Sequence, residues 1–109
     1  MAVQRFGMVI GVRPESALEY EQIHRAVPPG VLATITACSI RNYSIYRHGD
    51  LLFSYYEYTG TDHDADMARM AADPATQQWW NRTLPLQAPV GGPDGTPEWQ
   101  RLPEAFHLD

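Results

Sequence analysis

Tyr20 and His24 stand four residues apart in the segment EYEQIH, a spacing that sets two side chains on one face of a helix with Cβ atoms about 5–6 Å apart. An imidazole, with an unperturbed pKa of about 6.5, takes or gives a proton near neutrality, whereas a phenol at about 10 serves mainly as a hydrogen-bond donor. The pair thus offers complementary groups for moving protons on one small ligand. A plainer reading makes Tyr20 a core aromatic and His24 a half-exposed helix residue. Trp79-Trp80 is the rarer feature. Helical neighbours diverge by about 100°, so at least one of two adjacent indoles must face a second apolar surface, a cavity or a ligand. Flat aromatic faces suit the C–H surface of a sugar ring; one Trp in the core and one in a subunit interface is the alternative.

Other polar and aromatic groups carry weaker signals. Tyr43 and Tyr46, three apart in a strand, point to opposite faces, so only one can share a pocket with the helix. Asn42, Tyr55, Tyr56 and Tyr58 add amide and hydroxyl groups, although strand propensity and cross-strand packing account for tyrosines in such a run. Asp62-His63-Asp64-Ala65-Asp66 collects metal-ligand types at an expected helix start, where the dipole favours carboxylates. A solvated cap is the expectation there. His48 reads as turn surface and His107 as strand edge. No Walker loop, dinucleotide fingerprint, HExxH or nucleophile elbow occurs.

These residues need elements to hold them. From Val3 to Val12, Phe6, Met8, Ile10 and Val12 alternate with Arg5, Gly7, Val9 and Gly11, the period of a half-buried strand. Pro14 and Glu15 suit a helix start, and the helix runs to about Val27 with Ala17, Tyr20, Ile23, His24 and Val27 inward. Pro28-Pro29-Gly30 stops or kinks it. VLATITAC, Val31 to Cys38, mixes β-branched residues with a helical stripe of Leu32, Ile35 and Cys38, and is read as a short continuing helix. Ile40–Tyr46 and Leu51–Thr59 form a hairpin across Arg47-His48-Gly49-Asp50. Thr61 and Asp62 cap a helix through Ala72, Asp73-Pro74 breaks it, and Ala75–Leu84 supplies further helical turns. Four of nine prolines and three of eight glycines fall between Pro85 and Pro97, so that stretch is expected to be a surface loop outside the site. Glu104–Leu108 is read as a last strand.

Strand, helix, strand, strand, helix, strand is the order of the ferredoxin-like split βαβ unit: α+β, one antiparallel sheet with helices on one face. The uncovered face calls for a second sheet, so a homodimer of the dimeric α/β-barrel type is expected, with apolar burial worth roughly 25 cal/mol per Å² driving it. The 109 residues and 44% hydrophobic content make one compact domain over residues 1–109, with a Pro/Gly-rich loop at about 85–97. The net charge of −5, with eight scattered arginines as the only cations, argues against a nucleic-acid partner. No apolar run approaches the roughly 18 residues of a membrane span, the N-terminus has no signal-peptide pattern, and the lone Cys38 offers no disulfide. A cytoplasmic protein without a metal is the expectation.

Taken jointly, several segments resemble the L-rhamnose mutarotase family. They are Glu19-Tyr20 with His24, Asn42-Tyr43-Ser44-Ile45-Tyr46, Leu51-Leu52-Phe53 with Glu57, Gln78-Trp79-Trp80 and Glu104-Ala105-Phe106-His107-Leu108. They span nearly the whole chain in the family's order. The resemblance implies a dimeric ferredoxin-like enzyme, an isomerase that interconverts the α and β anomers of a free aldose, L-rhamnose or a related sugar, with no metal or organic cofactor. It also implies that His24 is the catalytic proton donor and that Tyr20, Tyr43, Trp79 and Trp80 bind the monosaccharide. After His24 the family tends to carry Asn-Pro and then a Trp-Pro-Glu-like stretch, where this chain reads Arg25-Ala26-Val27-Pro28-Pro29-Gly30. The competing class is a non-catalytic binding or regulatory module of the same architecture, with a monooxygenase as a third option, because one scaffold hosts many functions.

Overall fold

A computed structural model describes residues 3–91 and 95–109. β1 (Gln4–Val12) lies at the centre, paired antiparallel with β3 (Leu51–Tyr58) from Gln4 opposite Tyr58 to Gly11 opposite Leu51. β2 (Ile40–His48) flanks β3, while two short strands, β4 (Gln87–Ala88) and β5 (Gln100–Leu102), share the other edge of β1. The sheet order β2-β3-β1-β4, antiparallel throughout, is that of the split βαβ unit.

Register decides which side chains meet. Phe6, Met8 and Ile10 of β1 pair with Tyr56, Ser54 and Leu52 of β3, and period-2 alternation carries all six to one face. There they bury against α1 (Ala17–Ile23), α2 (Pro29–Ala37) and α3 (His63–Ala72) in two clusters. Phe6, Ile40, Tyr56, Tyr58 and Met70 surround Cys38, which is fully buried as a free thiol. Ile10, Val12, Leu52 and Leu86 pack on Ala17 and Tyr20. α4 (Pro74–Thr83) follows α3 after one residue, Asp73, whose carboxylate accepts from the Thr76 backbone N–H, the N-cap arrangement. Among the described residues no helix is long and apolar enough to cross a membrane.

Several expectations change in detail. The first helix is an α-helical centre with 3₁₀ turns at Pro14–Ser16 and His24–Ala26. In α2, Ile35 and Cys38 face the core as expected, while Val31 is buried in place of the exposed Leu32. His48 pairs with Leu51, leaving only Gly49-Asp50 in the hairpin turn; Gly49 has φ of 59°, which a two-residue turn with glycine first requires. The acidic run is only partly solvated. Asp62 does cap α3 through the Ala65 N–H, but Asp66 accepts from the buried Tyr58 hydroxyl and His63 stacks on Phe6. Between Arg41 and Ser44 the β2 register slips, with Asn42 at φ 52°, a bulge.

Two expectations for the tail are overturned. Pro85–Pro97 is not merely a surface loop: Leu86 joins the core and Gln87 is buried as it pairs with Val12. Residues 92–94 of that stretch lie outside the described residues. The last strand is Gln100–Leu102, not Glu104–Leu108. Pro103 follows Leu102 and has no N–H to extend the ladder, and His107, expected at a strand edge, lies beyond it, bonded to Asp109.

Candidate functional site

Between the helices and the covered face of the sheet lies a cavity of about 1100 Å³. Tyr20 and His24 of the first helix line it, as do Tyr43 from β2 and Trp79 and Trp80 from α4. All five residues singled out in the sequence therefore meet in one space. Tyr46 pairs opposite Phe53, whereas Tyr43 packs edge-on to Tyr56 at 5.6 Å. Their spacing sets the two side chains on opposite faces, yet both residues line the cavity, contrary to the expectation that only one would.

The Tyr20 and His24 rings stack with centroids 4.3 Å apart, and His24 meets the Trp79 indole edge-on at 5.0 Å. His24 Nδ1 lies 2.6 Å from the Tyr20 backbone carbonyl. A carbonyl oxygen only accepts, so Nδ1 carries the proton and donates, and Nε2 is the nitrogen left to exchange one. Burial lowers the His24 pKa, the hydrogen bond to Tyr20 opposes that shift, and the Arg82 charge adds to it. The net direction is down from 6.5, so the imidazole is neutral at pH 7 with a lone pair on Nε2.

The Tyr20 and Tyr43 phenols stay protonated. Burial raises the Tyr20 pKa, opposed by a hydrogen bond from the Gln87 side chain. Tyr43 is 42% exposed as a residue, yet crowding around its hydroxyl pushes its pKa well up, with the Tyr20 and Tyr56 phenols adding to the shift. The adjacent indoles divide as helical geometry demands: Trp79 is buried, with the Arg82 guanidinium 5.1 Å from its ring, and Trp80 is exposed at 44%.

Asn42 also lines the cavity from β2, with Arg41 and Arg47, whereas Tyr55, Tyr56 and Tyr58 do not. Tyr56 and Tyr58 are core, Tyr55 bonds Glu57, and the Asn42 amide also donates to Glu57. His48 and His107 are exposed. Among the described residues no group of three or more His, Cys, Asp or Glu is placed to hold a metal ion.

Sequence reasoning missed Gln87, Glu98 and Trp99, which also line the cavity. Trp99 precedes β5, where Arg101 pairs with Met8 and Gln100 with Val9. Alternation therefore returns Trp99 to the covered face beside Ile10, and it packs on the cluster that holds Tyr20. An indole in a Pro/Gly-rich polar stretch was the one available signal; Gln87 gave none.

The sequence model of the L-rhamnose mutarotase family matches residues 5–108. The chain belongs to the L-rhamnose mutarotase family. An L-rhamnose mutarotase of Ligilactobacillus salivarius is 34% identical over 96% of this chain and 97% of its own length. One from Opitutus terrae is 32% identical over 96% and 98%. The crystal structure of an L-rhamnose mutarotase from Formosa agariphila superposes with a TM-score of 0.76 at 18% identity, covering 97% of this chain and 99% of that one. This likeness extends the family's match from sequence to fold. The activity that goes with this family is that of an isomerase exchanging the anomers of a free sugar.

Proposed function

We propose that the protein interconverts the α and β anomers of free L-rhamnose in this cavity, with His24 carrying the proton. The observation that carries this is the Nδ1 hydrogen bond from His24 to the Tyr20 carbonyl, which reserves Nε2 for the sugar. Neutral Nε2 takes the proton from the anomeric O1–H while the C1 to ring-oxygen bond breaks and C1–O1 becomes the aldehyde. The imidazolium then gives that proton to the ring oxygen. Both oxygens sit on C1 in the closed ring, so one nitrogen reaches both with little displacement. After rotation about C1–C2, Nε2 removes the proton from the same hydroxyl as it attacks the other face of C1, and returns it to O1. His24 is thus the donor to the ring oxygen and also the base, and the proton balance closes. Positioned acid/base help of this kind is worth about 10²–10⁴-fold.

Tyr20 donates a hydrogen bond to the sugar from its protonated phenol, and Tyr43 adds a second hydroxyl. Trp79 and Trp80 supply the stacking wall that restricts the ring to a reactive pose. Saturation-transfer proton NMR tests this: irradiating the α H1 of L-rhamnose should deplete the β H1 faster with the enzyme. The effect should vanish with His24→Ala. Full exchange by that variant would remove His24 from the chemistry.

The active particle in this proposal is a homodimer. Phe106 and Leu108 are 81% and 79% exposed, and Tyr46 and Leu102 add apolar surface, area that a second copy would cover. Sedimentation should give twice the monomer mass, and a monomer at micromolar concentration would exclude the dimer. The single Cys38, a buried free thiol, fits a cytoplasmic enzyme.

A further inference from the structure

The cavity has two carboxylates in its lining, Glu21 and Glu98. Glu21 is taken by the Arg47 guanidinium across from β2, whereas Glu98 is exposed and has no ion-pair partner among the described residues. Beside it, Trp99 packs its indole on the Tyr20 cluster while keeping part of its surface open to the same cavity. The stretch from Val27 through Val31 and Leu32 to Ile35 lines the cavity with aliphatic groups alone. It can neither stack on a ring nor accept from a hydroxyl. We propose that Glu98 and Trp99, carried in on the segment before β5, are sugar-binding residues: the carboxylate accepts hydrogen bonds from ring hydroxyls and the indole forms an additional stacking face.

The chemistry fits the ligand class. A carboxylate is an acceptor only, and it suits vicinal hydroxyls, which each bring a donor. Bonds to a charged acceptor are about twice as strong as neutral ones. Neither residue is needed for proton transfer, so their contribution falls on binding rather than on the chemical step. The inference rests on the cavity being the mutarotase site.

The test is anomer exchange measured against L-rhamnose concentration for wild type, Glu98→Gln, Trp99→Leu and Trp99→Phe, with the melting temperature of each. Glu98→Gln should raise KM about tenfold or more and Trp99→Leu about three- to tenfold. In both, kcat should stay within about twofold, and Trp99→Phe should restore most of the affinity. KM values within about twofold of wild type at unchanged melting temperature would overturn the proposal. So would a fall in kcat that merely tracks the loss of folded protein, since that would make Trp99 a packing residue. An equilibrium titration of tryptophan fluorescence with L-rhamnose reads binding without turnover. A wild type that binds but exchanges no anomers would refute the mutarotase reading, and the Kd shift in Glu98→Gln would then decide this one. A wild type that does neither would overturn both.

Discussion

On the helical side of the cavity, Tyr20 and His24 sit on one continuous turn, stacked on each other and locked by a backbone hydrogen bond, with Trp79 closing against them. On the tail side, Gln87, Glu98 and Trp99 reach the same space from a chain held to β1 by strands of two and three residues. The first wall is fixed by its own helices and by the packing of their rings on one another. The second is fixed by the edge of a strand far away in sequence. A site can therefore place its proton-transfer group on the stiff wall and leave much of its affinity to the borrowed one, and substitutions on the two sides should separate rate from binding.

The largest effect expected is on the stiff wall. His24→Ala should lower anomer exchange about 10²–10⁴-fold without a comparable change in binding. The pH profile sharpens the assignment. Because burial lowers the His24 pKa from 6.5, activity should be flat above pH 6.5 and fall only on a limb lying below it, as Nε2 becomes occupied. A profile that instead rises as the pH drops through 6.5 would show that the resting enzyme uses the imidazolium. Stability follows the same sign: a folded pKa below the unfolded one means that the stabilisation present at neutral pH is lost as the pH falls through the unfolded value toward the folded one. The wild type should therefore lose this part of its stability on acidification, and His24→Ala should lack it.

The next effect belongs to the borrowed wall. A Cβ on Gly11 would lie 2.6 Å from the Ala88 carbonyl oxygen and 2.9 Å from that of Pro89, both backbone atoms that cannot swing aside. Gly11→Ala should therefore push β4 off the edge of β1, at about 1–3 kcal/mol of stability, and displace Gln87 beside it. Thermal melts should register the loss, and KM should rise while kcat is largely kept. A loss of kcat equal to that of His24→Ala would mean that the two walls are not separable.

Legibility in the sequence divides along the same line. β1, the first helix and the hairpin follow from uninterrupted period-2 and helical patterns, and the i, i+4 spacing already sets Tyr20 and His24 together. Val31–Cys38 reads as a helix despite its β-branched residues, and α2 does begin at Pro29, in the first helical turn where proline is tolerated. β4 and β5 are too short to carry a period of their own, and their pairing with β1 depends on the path of the chain between them. Hence the strand expected at Glu104–Leu108 falls instead at Gln100–Leu102. For the same reason Glu98 and Trp99 belong to the cavity although nothing local to them says so.

A smaller effect probes the stiff wall through its cap. Asp73→Ala removes the acceptor of both the Thr76 N–H and the Thr76 hydroxyl at the start of α4, which should lower the melting temperature by about 4–8 °C. Trp79 lies six residues beyond the cap and is buried, so KM should change little, provided that the helix frays only in its first turn. A large rise in KM would mean that the indole wall is held by the cap rather than by packing.

The smallest effect separates the tail's polar attachment from its packing. Arg5 holds Glu104 with two hydrogen bonds of 2.8 and 2.9 Å at the surface, beyond β5. Exposed pairs contribute little and are screened by salt, so Glu104→Gln should move the melting temperature by no more than a couple of degrees and leave KM alone. The Arg5 hydrogen bond holds the Glu104 carboxyl below its ordinary value of 4.5. Whatever stability the pair supplies is therefore present above that value and lost as the pH falls through the lowered one. Wild type and Glu104→Gln should accordingly converge in melting temperature under acid, and also in 1 M salt at neutral pH. A difference that persisted in both conditions, together with a higher KM, would mean that this pair, rather than the pairing of β5 with β1 and the packing of Trp99, keeps the tail against the cavity.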